Sequence, residues 1–229
     1  SKTRDPALPV ATHSPCKYSC ARFGDTGATI ERIGREVLEQ YIPGLLPAWS
    51  GAVWEPACAD IDVAGLHQHY LKRAKQCGVT LLCNARVAAI SREGELWRVA
   101  FEDGRAITAT TLVNAAGAWA DPVAELAGAK PLGIGPLRRT VVQLQTNPAP
   151  PDNLPLTLDI NGQFYFKSEA GRVWLSPHDE TPDTPRDVAP EEMDVALAID
   201  RFERIVGWKV ERVERKWAGL RSFAPDRLP

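Results

Sequence analysis

The amino-acid sequence predicts a mixed α/β fold, because segments with helical periodicity alternate with short strands joined by tight turns. The clearest helix covers residues 62–77, where apolar side chains recur at helical spacing and Gly78 ends the pattern. Hairpin turns are predicted at Glu93-Gly94 and Asp103-Gly104 after this helix, and at Asn161-Gly162 later in the chain. The fold class is therefore α/β with mixed and antiparallel sheets.

The first part of the chain is predicted to contain one short helix and one short strand. Residues 1–28 are rich in Pro, Ser, Thr and Gly without a sustained period, so we expect an irregular lead-in. A helix is predicted at 29–41, with Thr29 as its N-cap and Pro43-Gly44 as its end. Residues 45–60 are predicted to form a loop with a short strand at 52–54.

The rest of the chain alternates between strands and helices. The helix at 62–77 leads into a predicted strand at 79–83, and an antiparallel meander follows at 85–91, 96–101 and 106–113. A second helix is predicted at 121–127, with Pro122 at its first position. The remaining predicted elements are strands at 136–146, 157–160, 163–167, 172–176 and 209–217 and a helix at 191–206.

The composition is that of a folded globular chain. Its 229 residues are 44% hydrophobic and 24% charged, which suits one large domain or two small ones. The net charge of −2 and the pI near 6.1 argue against a general nucleic-acid binder, which needs a basic surface. No apolar run reaches the roughly 18 residues that span a bilayer, and residues 1–10 contain no signal-peptide core.

The cysteines favour a reducing, cytoplasmic location. There are five of them, an odd number without a CxxC pair, which argues against a disulfide framework. Cys16 and Cys20 lie near His13, but a tetrahedral zinc site needs further ligands, and only His67 and His69 are candidates by residue type. We therefore expect no metal site.

The most informative segment is LVNAAGAWADPVAELAG at 112–128. An apolar strand runs into Asn-Ala-Ala-Gly and then into a helix. Small residues at such a crossing let the backbone pass close to another backbone or to a ligand. On physical grounds alone, the segment indicates either tight packing or contact with a phosphate or ribose.

Several separated motifs together resemble the FAD-dependent D-amino-acid oxidase and dehydrogenase superfamily. They are ADIDVAGLHQHYLKRAKQCGV at 59–79, VNAAGAWAD at 113–121, GIGPLRRT at 133–140 and WAGLRSFAPDRLP at 217–229. The resemblance is closest to the D-arginine dehydrogenase-like enzymes, in which QFYFK (163–167 here) and WAGLRSF recur at similar spacing. The resemblance covers roughly residues 30–229.

The resemblance implies an oxidoreductase with FAD as cofactor and an amino acid as small-molecule substrate. Such an enzyme transfers a hydride from the α-carbon of a D-amino acid to the flavin, with basic D-amino acids favoured in this branch. The product is an imino acid, which water converts to a 2-oxo acid and ammonia. The flavin performs the redox chemistry, and the protein holds the substrate beside it.

The resemblance also implies the residues that bind the substrate. Arg139 and Arg221 match the arginines of the family that bind the substrate carboxylate, a role that suits the planar, bidentate guanidinium group. Tyr165 matches a tyrosine whose hydroxyl can donate to the same carboxylate. Arg138 is the alternative to Arg139, because alternation along a strand places only one of them on the site face. No catalytic residue is assigned.

Three residues match positions of the family that contact the cofactor through the backbone. Val87 corresponds to the position beside the adenine end, and Ala116 and Gly117 correspond to the strand-end turn beside the flavin. Because these are backbone contacts, they constrain only the size of the side chain. Trp119 lies either near the isoalloxazine ring or in the core.

The sequence departs from the family at the phosphate-binding site. A strand–GxGxxG–helix segment, whose glycines hold the FAD pyrophosphate, does not occur in it. Family members also continue beyond the equivalent of Pro229. We therefore expect an internal fragment of a two-domain enzyme, inactive alone, with FAD absent or weakly bound. The expected parts are a lead-in at 1–28, substrate domain at 29–60 and 121–216, and partial FAD-binding domain at 61–120 and 217–229.

Two other functions remain open. One is a glycine- or sarcosine-type amine oxidase of the same superfamily, which a substrate screen would separate from a D-amino-acid enzyme. The other is a non-catalytic binding module that lacks the cofactor site, which a GxGxxG segment upstream of Ser1 would exclude. The sequence makes no prediction of the oligomeric state.

Overall fold

The computed structural model describes residues 27 and 29–227 and, for residues 7–11, the backbone alone. The described strands are β1 (Ala7–Ala11), β2 (Glu31–Gly34), β3 (Gly51–Trp54), β4 (Val87–Glu93), β5 (Leu96–Phe101), β6 (Ala106–Ala109), β7 (Gly135–Asn147), β8 (Leu156–Asp159), β9 (Tyr165–Glu169), β10 (Arg172–Ser176), β11 (Thr181–Pro182) and β12 (Lys209–Phe223). The described helices are α1 (Arg35–Tyr41), α2 (Val63–Gln76), α3 (Ala120–Leu126) and α4 (Glu192–Glu203), and a 3₁₀ turn covers Gly117–Trp119.

The chain folds into two compact units. The first comprises the described residues of 1–60, 138–181 and 187–219. The second comprises those of 61–137, 182–186 and 220–229.

The first unit is built on a mixed sheet. Its strand order is β2–β3–β1–β8–β9–β10–β7, and β11 and β12 also pair with β7. Strand β1 is parallel to β8 and antiparallel to β3. The pairs β8–β9, β9–β10 and β10–β7 are antiparallel, and the predicted turn at Asn161-Gly162 connects β8 to β9. The predicted α/β class with mixed and antiparallel pairing is therefore confirmed.

The core of the first unit lies on one face of this sheet, packed against α1 and α4. Alternation along the strands directs Phe166 and Leu144 to this face, where both are fully buried. Leu38 from α1 and Phe202 from α4 are also fully buried, and the ring centroids of Phe166 and Phe202 are 5.4 Å apart. Burial of each such side chain contributes about 1.5–3 kcal/mol. Packing on this face therefore holds the sheet against the two helices, and the opposite face is available for a site.

The N-terminal helix is shorter than the sequence predicts. Strand β2 pairs with β3, so the helix predicted from Thr29 begins only at Arg35. The prediction was wrong because Ile33, which fits helical spacing, lies opposite Ala52 in the sheet. This long-range pairing overrides the local period. The short strand predicted at 52–54 is confirmed as part of β3.

Strand β1 lies inside residues 1–28, for which the sequence predicts no regular element. Its sequence, ALPVA, contains a proline and is too short to show a period. Its pairing partners, β3 and β8, are distant in sequence. His13, Cys16 and Cys20, which the metal hypothesis considered, lie outside the described residues.

The second unit contains α2, α3 and the antiparallel sheet β4–β5–β6. Helix α2 begins after Asp62, whose carboxylate accepts a hydrogen bond from the N–H of Gly65 at 2.9 Å. It ends at Cys77, followed by Gly78 with a φ of +81°. The predicted helix and the predicted meander are therefore both confirmed, although the third strand ends at Ala109 and not at the predicted residue 113.

The strand predicted at 79–83 does not form. Val79 and Leu81 are 56% and 52% exposed, and among the described residues no strand pairs with this segment. A strand requires a neighbour that satisfies its backbone N–H and C=O groups. The apolar pattern alone was therefore not sufficient for the prediction.

The remaining predicted elements occur close to their predicted bounds. The main difference is β12, which continues past the predicted end at 217 to Phe223. Ala218 and Gly219 are weak strand formers and interrupt the sequence pattern, although the backbone stays extended. In the part of the chain that the structure describes, no helix has the length and apolarity needed to cross a membrane.

Candidate functional site

The face of the first unit's sheet opposite the core is polar and aromatic. In the register of β9 and β10, Lys167 lies opposite Trp174, and Trp174 in turn lies opposite Gln143 on β7. Tyr165 lies on the same side of β9 as Lys167 because residues two apart share a face. We call these four residues the polar face. It includes one of the predicted substrate-binding residues, Tyr165, whose side chain is half-buried.

Arg139 is buried and held by a neighbouring loop. Its exposed fraction is 8%, and its Nε donates to the backbone carbonyl of Asp179 at 2.8 Å. Its Nη2 donates to Glu180 Oε1 at 3.1 Å. The Asp179 carboxylate accepts from the backbone N–H and the Oγ1 of Thr140, at 2.8 and 2.9 Å. Arg139 is therefore fixed in orientation, with a carboxylate already bound to one edge of its guanidinium.

Arg138 has different partners. Its exposed fraction is 5%, and its guanidinium binds Glu191 at 2.5 Å and Asp194 at 3.1 Å, both at the start of α4. The hydrogen bond that Arg138 donates to Glu191 raises the pKa of Arg138. Burial, together with the negative charge of Asp179, raises the pKa of the Asp194 carboxyl. Arg138 thus belongs to an ion-pair network with α4, while Arg139 faces the loop after β10.

Tyr165 and Arg139 contact adjacent residues of that loop. The ring of Tyr165 meets the ring of His178 edge to face, with centroids 5.7 Å apart. The next residue, Asp179, provides the carbonyl that accepts from Arg139. The structure therefore brings these two predicted substrate-binding residues to one short segment of chain.

The predicted cofactor turn lies in the second unit and is held by one asparagine. The Asn114 Nδ2 donates to the carbonyl of Ala120 at 2.7 Å, and its Oδ1 accepts from the N–H of Ala116 at 3.2 Å. Gly117 follows with a φ of +55°, a left-handed conformation that favours glycine. A Cβ at Gly117 would lie 4.0 Å from Ser222 Oγ, so the turn is close to the end of β12.

Arg221 precedes Ser222 and is exposed. Its guanidinium stacks on the ring of Phe223 at 4.9 Å, and Arg227 stacks on the same ring at 4.9 Å. Within the second unit, the predicted turn at Gly117 and the predicted substrate-binding Arg221 are therefore near each other. Val87, the third predicted cofactor position, begins β4, where the pairing with β5 shifts register between Val87 and Ala89.

Asp121 is a residue that sequence reasoning missed. Its carboxylate accepts hydrogen bonds from three consecutive backbone N–H groups, those of Leu132, Gly133 and Ile134, at 3.1, 2.8 and 2.9 Å. It joins the start of α3 to the loop before β7. The available signal was an acidic residue in the first turn of a helix, followed by a Gly-Ile-Gly segment. His178 was also missed, and no sequence pattern identifies it.

The remaining metal candidates lie on α2. His67 and His69 are both exposed there. Among the described residues, no group of three or more His, Cys, Asp or Glu side chains is arranged to hold a metal ion.

Sequence comparison identifies related proteins over almost the whole chain. The sequence model of the family of FAD dependent oxidoreductases matches residues 3–229. The hydrogen cyanide synthase subunit HcnC of Pseudomonas aeruginosa is 28% identical over 216 residues, which cover 93% of this chain and 50% of that protein. HcnC of Pseudomonas protegens is 25% identical over 162 residues, 70% of this chain and 38% of that protein. The chain thus spans half or less of the length of these relatives.

Solved structures resemble the fold. Glycine oxidase from Geobacillus kaustophilus has a TM-score of 0.83 and 21% identity, with 99% of this chain and 61% of that chain covered. L-proline dehydrogenase from P. horikoshii has a TM-score of 0.83 and 20% identity, with 99% and 63% covered. At these identities the likeness shows the fold alone.

Proposed function

Because the chain belongs to the family of FAD dependent oxidoreductases, we propose that the protein oxidises the bond between the α-carbon and the nitrogen of an amino acid. The observation that supports a carboxylate-bearing substrate is that Tyr165 and Arg139 contact adjacent residues, His178 and Asp179. An arginine and a tyrosine hydroxyl together supply charge and directed donors for a carboxylate, and the substrate carboxylate would displace that of Glu180 from Arg139. We propose Arg221 as a further substrate-binding residue.

Each unit has a distinct proposed role. The first contains Arg139 and Tyr165 and is proposed as the substrate domain. The second contains Val87, Ala116 and Gly117 and is proposed as part of the FAD-binding domain. Bound FAD would accept the hydride that leaves the α-carbon.

The residues of the second unit fit a backbone contact with a flat cofactor. Gly117 has a left-handed φ of +55°. Gly117 and Ala115 are both small residues, and both are exposed. Asn114 holds this turn in place through both ends of its amide group. The 229 residues include no GxGxxG segment to hold the pyrophosphate, so we propose that this chain alone retains FAD weakly.

In the proposed reaction the substrate loses a hydride from its α-carbon and a proton from its amine, and the C–N bond becomes a C=N bond. The resulting imino acid is hydrolysed to a 2-oxo acid and ammonia. The residues of this chain would bind and orient the carboxylate so that the α-carbon is held in one position. No side chain of the chain is proposed to transfer the proton.

We propose D-amino acids as substrates, with basic D-amino acids tested first. A glycine- or sarcosine-type oxidase is the second candidate. Lys167 is two residues from Tyr165 on the polar face, where it forms ion pairs with Asp60 at 3.0 Å and Glu169 at 3.1 Å. Burial alone would lower the pKa of Lys167, but the hydrogen bonds that it donates to the two carboxylates raise this pKa, so Lys167 stays cationic. One ammonium group and two carboxylates give this cluster a net charge of −1, which would attract a cationic substrate side chain and favours the first candidate.

The test is anaerobic flavin reduction by the full-length protein purified with FAD, because this chain alone is proposed to retain the cofactor weakly. D-arginine, D-alanine, L-arginine, glycine and sarcosine are mixed separately with it, and the loss of oxidised-flavin absorbance is followed. Reduction by D-arginine supports the first candidate, and reduction confined to glycine or sarcosine supports the second. Failure of every amine to reduce bound flavin would contradict the proposal, and failure to bind flavin would favour the non-catalytic module.

Arg221→Ala tests one proposed substrate contact. Loss of a charged hydrogen-bonding partner is expected to raise KM for the amino acid about tenfold or more, with little change in flavin content. Arg212→Ala is the matched control, since Arg212 is an exposed arginine of β12 paired with Glu214. An unchanged KM in Arg221→Ala would remove Arg221 from the site.

A further inference from the structure

His178 adopts a strained backbone conformation. Its φ is +59°, in the left-handed region that residues other than glycine seldom occupy. Such a conformation costs of order 1–3 kcal/mol and persists only where the surrounding contacts enforce it. The contacts around His178 therefore hold it in this conformation.

The loop is held on both sides of His178. The carbonyl of Pro177 accepts a hydrogen bond from Arg201 Nη1 at 2.5 Å, and the N–H of His178 donates to Ser176 Oγ at 3.1 Å. On the other side, Asp179 binds Thr140 through both carboxylate oxygens. These contacts fix the backbone before and after the strained residue.

The imidazole ring packs between Tyr165 and a glycine. It meets the Tyr165 ring at an interplanar angle of 81°. A Cβ at Gly162 would lie 3.5 Å from His178 Nδ1 and 3.7 Å from Cε1, an ordinary contact distance, so the ring borders this glycine. The ring thus limits the orientations open to Tyr165.

We propose that His178 is a positioning residue that fixes the ring of Tyr165, and with it the hydroxyl offered to the substrate carboxylate. The inference rests on the proposed function of Tyr165. An edge-to-face pair stabilises one relative orientation of two rings by about 0.5–1.5 kcal/mol beyond the area it buries. His178 combines this left-handed φ with the ring contact to Tyr165.

Two substitutions separate the ring from the backbone. His178→Asn tolerates a left-handed φ but removes the ring, and His178→Phe keeps an aromatic ring. Ala170→Gly is the matched control. Ala170 has a φ of +50° in the turn between β9 and β10, so its replacement by glycine relieves similar backbone strain. An effect of strain alone would appear in the Ala170 variant as well.

The first measurement does not depend on enzymatic activity. The protein has four tyrosines, so selective ¹³C labelling of tyrosine rings gives a simple spectrum in which Tyr165→Phe assigns Tyr165. We expect His178→Asn to move the Tyr165 signals, and His178→Phe and Ala170→Gly to leave them near their original, dispersed positions. Unchanged Tyr165 signals in His178→Asn would overturn the inference, whatever the protein is found to oxidise.

The second measurement uses the flavin-loaded protein and the amino acid that reduces it. His178→Asn is expected to raise KM by about three- to tenfold, since the hydrogen bond to the carboxylate weakens, while kcat changes little and His178→Phe restores KM. Equal KM in His178→Asn and the original protein would overturn the inference. Absence of flavin reduction in the original protein would instead contradict the proposed function, and the tyrosine spectra would still test the positioning.

Discussion

The two units differ in how they bury their apolar side chains. In the first, Phe166 and Phe202 are fully buried between the sheet and two helices. In the second, no residue of α2 is buried, and Val63 and Tyr70 on this helix are 71% and 64% exposed. The first unit therefore has its own hydrophobic core. The second depends more on capping, hairpin turns and local hydrogen bonds, with a small core that includes Val99 and Phe101.

The largest expected effect tests this difference directly. Phe202→Ala should lower the free energy of unfolding of the first unit by about 3–5 kcal/mol, because it leaves a cavity in a packed core. Tyr70→Ala, on exposed α2, should change the free energy of unfolding of the second unit by no more than about 0.5 kcal/mol. Urea unfolding followed by circular dichroism measures both. A loss in Tyr70→Ala as large as that in Phe202→Ala would show that α2 is packed and would remove the contrast.

A second effect concerns a hydrogen-bonded part of the second unit. Asp121→Ala removes the acceptor of three backbone N–H groups and should destabilise the loop before β7 by about 1–3 kcal/mol. Asp103→Ala is the control, because the pair of Asp103 with Arg105 lies in an exposed hairpin. Hydrogen exchange at residues 132–134 is the measurement. Unaltered protection there in Asp121→Ala would mean that other contacts hold the loop.

Gly117→Ala should have a smaller effect on stability and a specific one on the cofactor. The left-handed φ of Gly117 penalises a side chain by about 1–2 kcal/mol, and the added methyl group would occupy the proposed flavin side of the turn. We expect a reduced flavin-to-protein ratio in absorbance spectra. Gly171→Ala, at a φ of +71° in a turn of the first unit, should cost similar stability and leave the ratio unchanged. Equal flavin content in the two variants would separate Gly117 from the cofactor.

The smallest expected effect is on pH dependence in the first unit. Burial and the charge of Asp179 raise the folded-state pKa of Asp194 above its ordinary value of 3.8. The folded state then binds more protons than the unfolded state between these two pKa values, so stability is lost as the pH rises through this window. Asp194→Asn should flatten this slope, by about 1 kcal/mol or less in a partly exposed group. Urea unfolding between pH 3 and pH 7, in roughly unit steps across the usual range of carboxyl titration, is the measurement. A slope that persists in Asp194→Asn would assign it to other carboxyls.

Local sequence signals predicted those elements whose formation depends on local interactions. Helix α2 has an N-cap at Asp62 and a glycine at its end, and the β4–β5–β6 meander has glycine turns at the expected places. The start of the helix predicted at 29–41 and the strand predicted at 79–83 were wrong, whereas the helix itself forms at Arg35–Tyr41. Both depend on which distant strand pairs with them, and one-dimensional periodicity contains no such information.

The candidate site also contains residues that local sequence signals predict and residues whose positions depend on distant contacts. The turn at Gly117 comes after an apolar segment that ends in small residues, so a sequence motif could locate it. The partners of Arg139, the backbone carbonyl of Asp179 and the carboxylate of Glu180, are forty residues away in sequence and leave no spacing signal. His178 could not be predicted, because only its backbone conformation distinguishes it from a histidine in a polar loop.

The carboxylate of Asp121 also has a consequence for resistance to proteases. The segment from Leu132 to Ile134 contains a glycine with a φ of +81° and two exposed residues, features typical of a cleavage site. A protease must bind its substrate as an extended strand with free N–H groups, and here three consecutive groups are bound to one side chain. Cleavage would require all three hydrogen bonds to break together. A loop that looks vulnerable from its composition should therefore survive limited digestion while other exposed turns are cut.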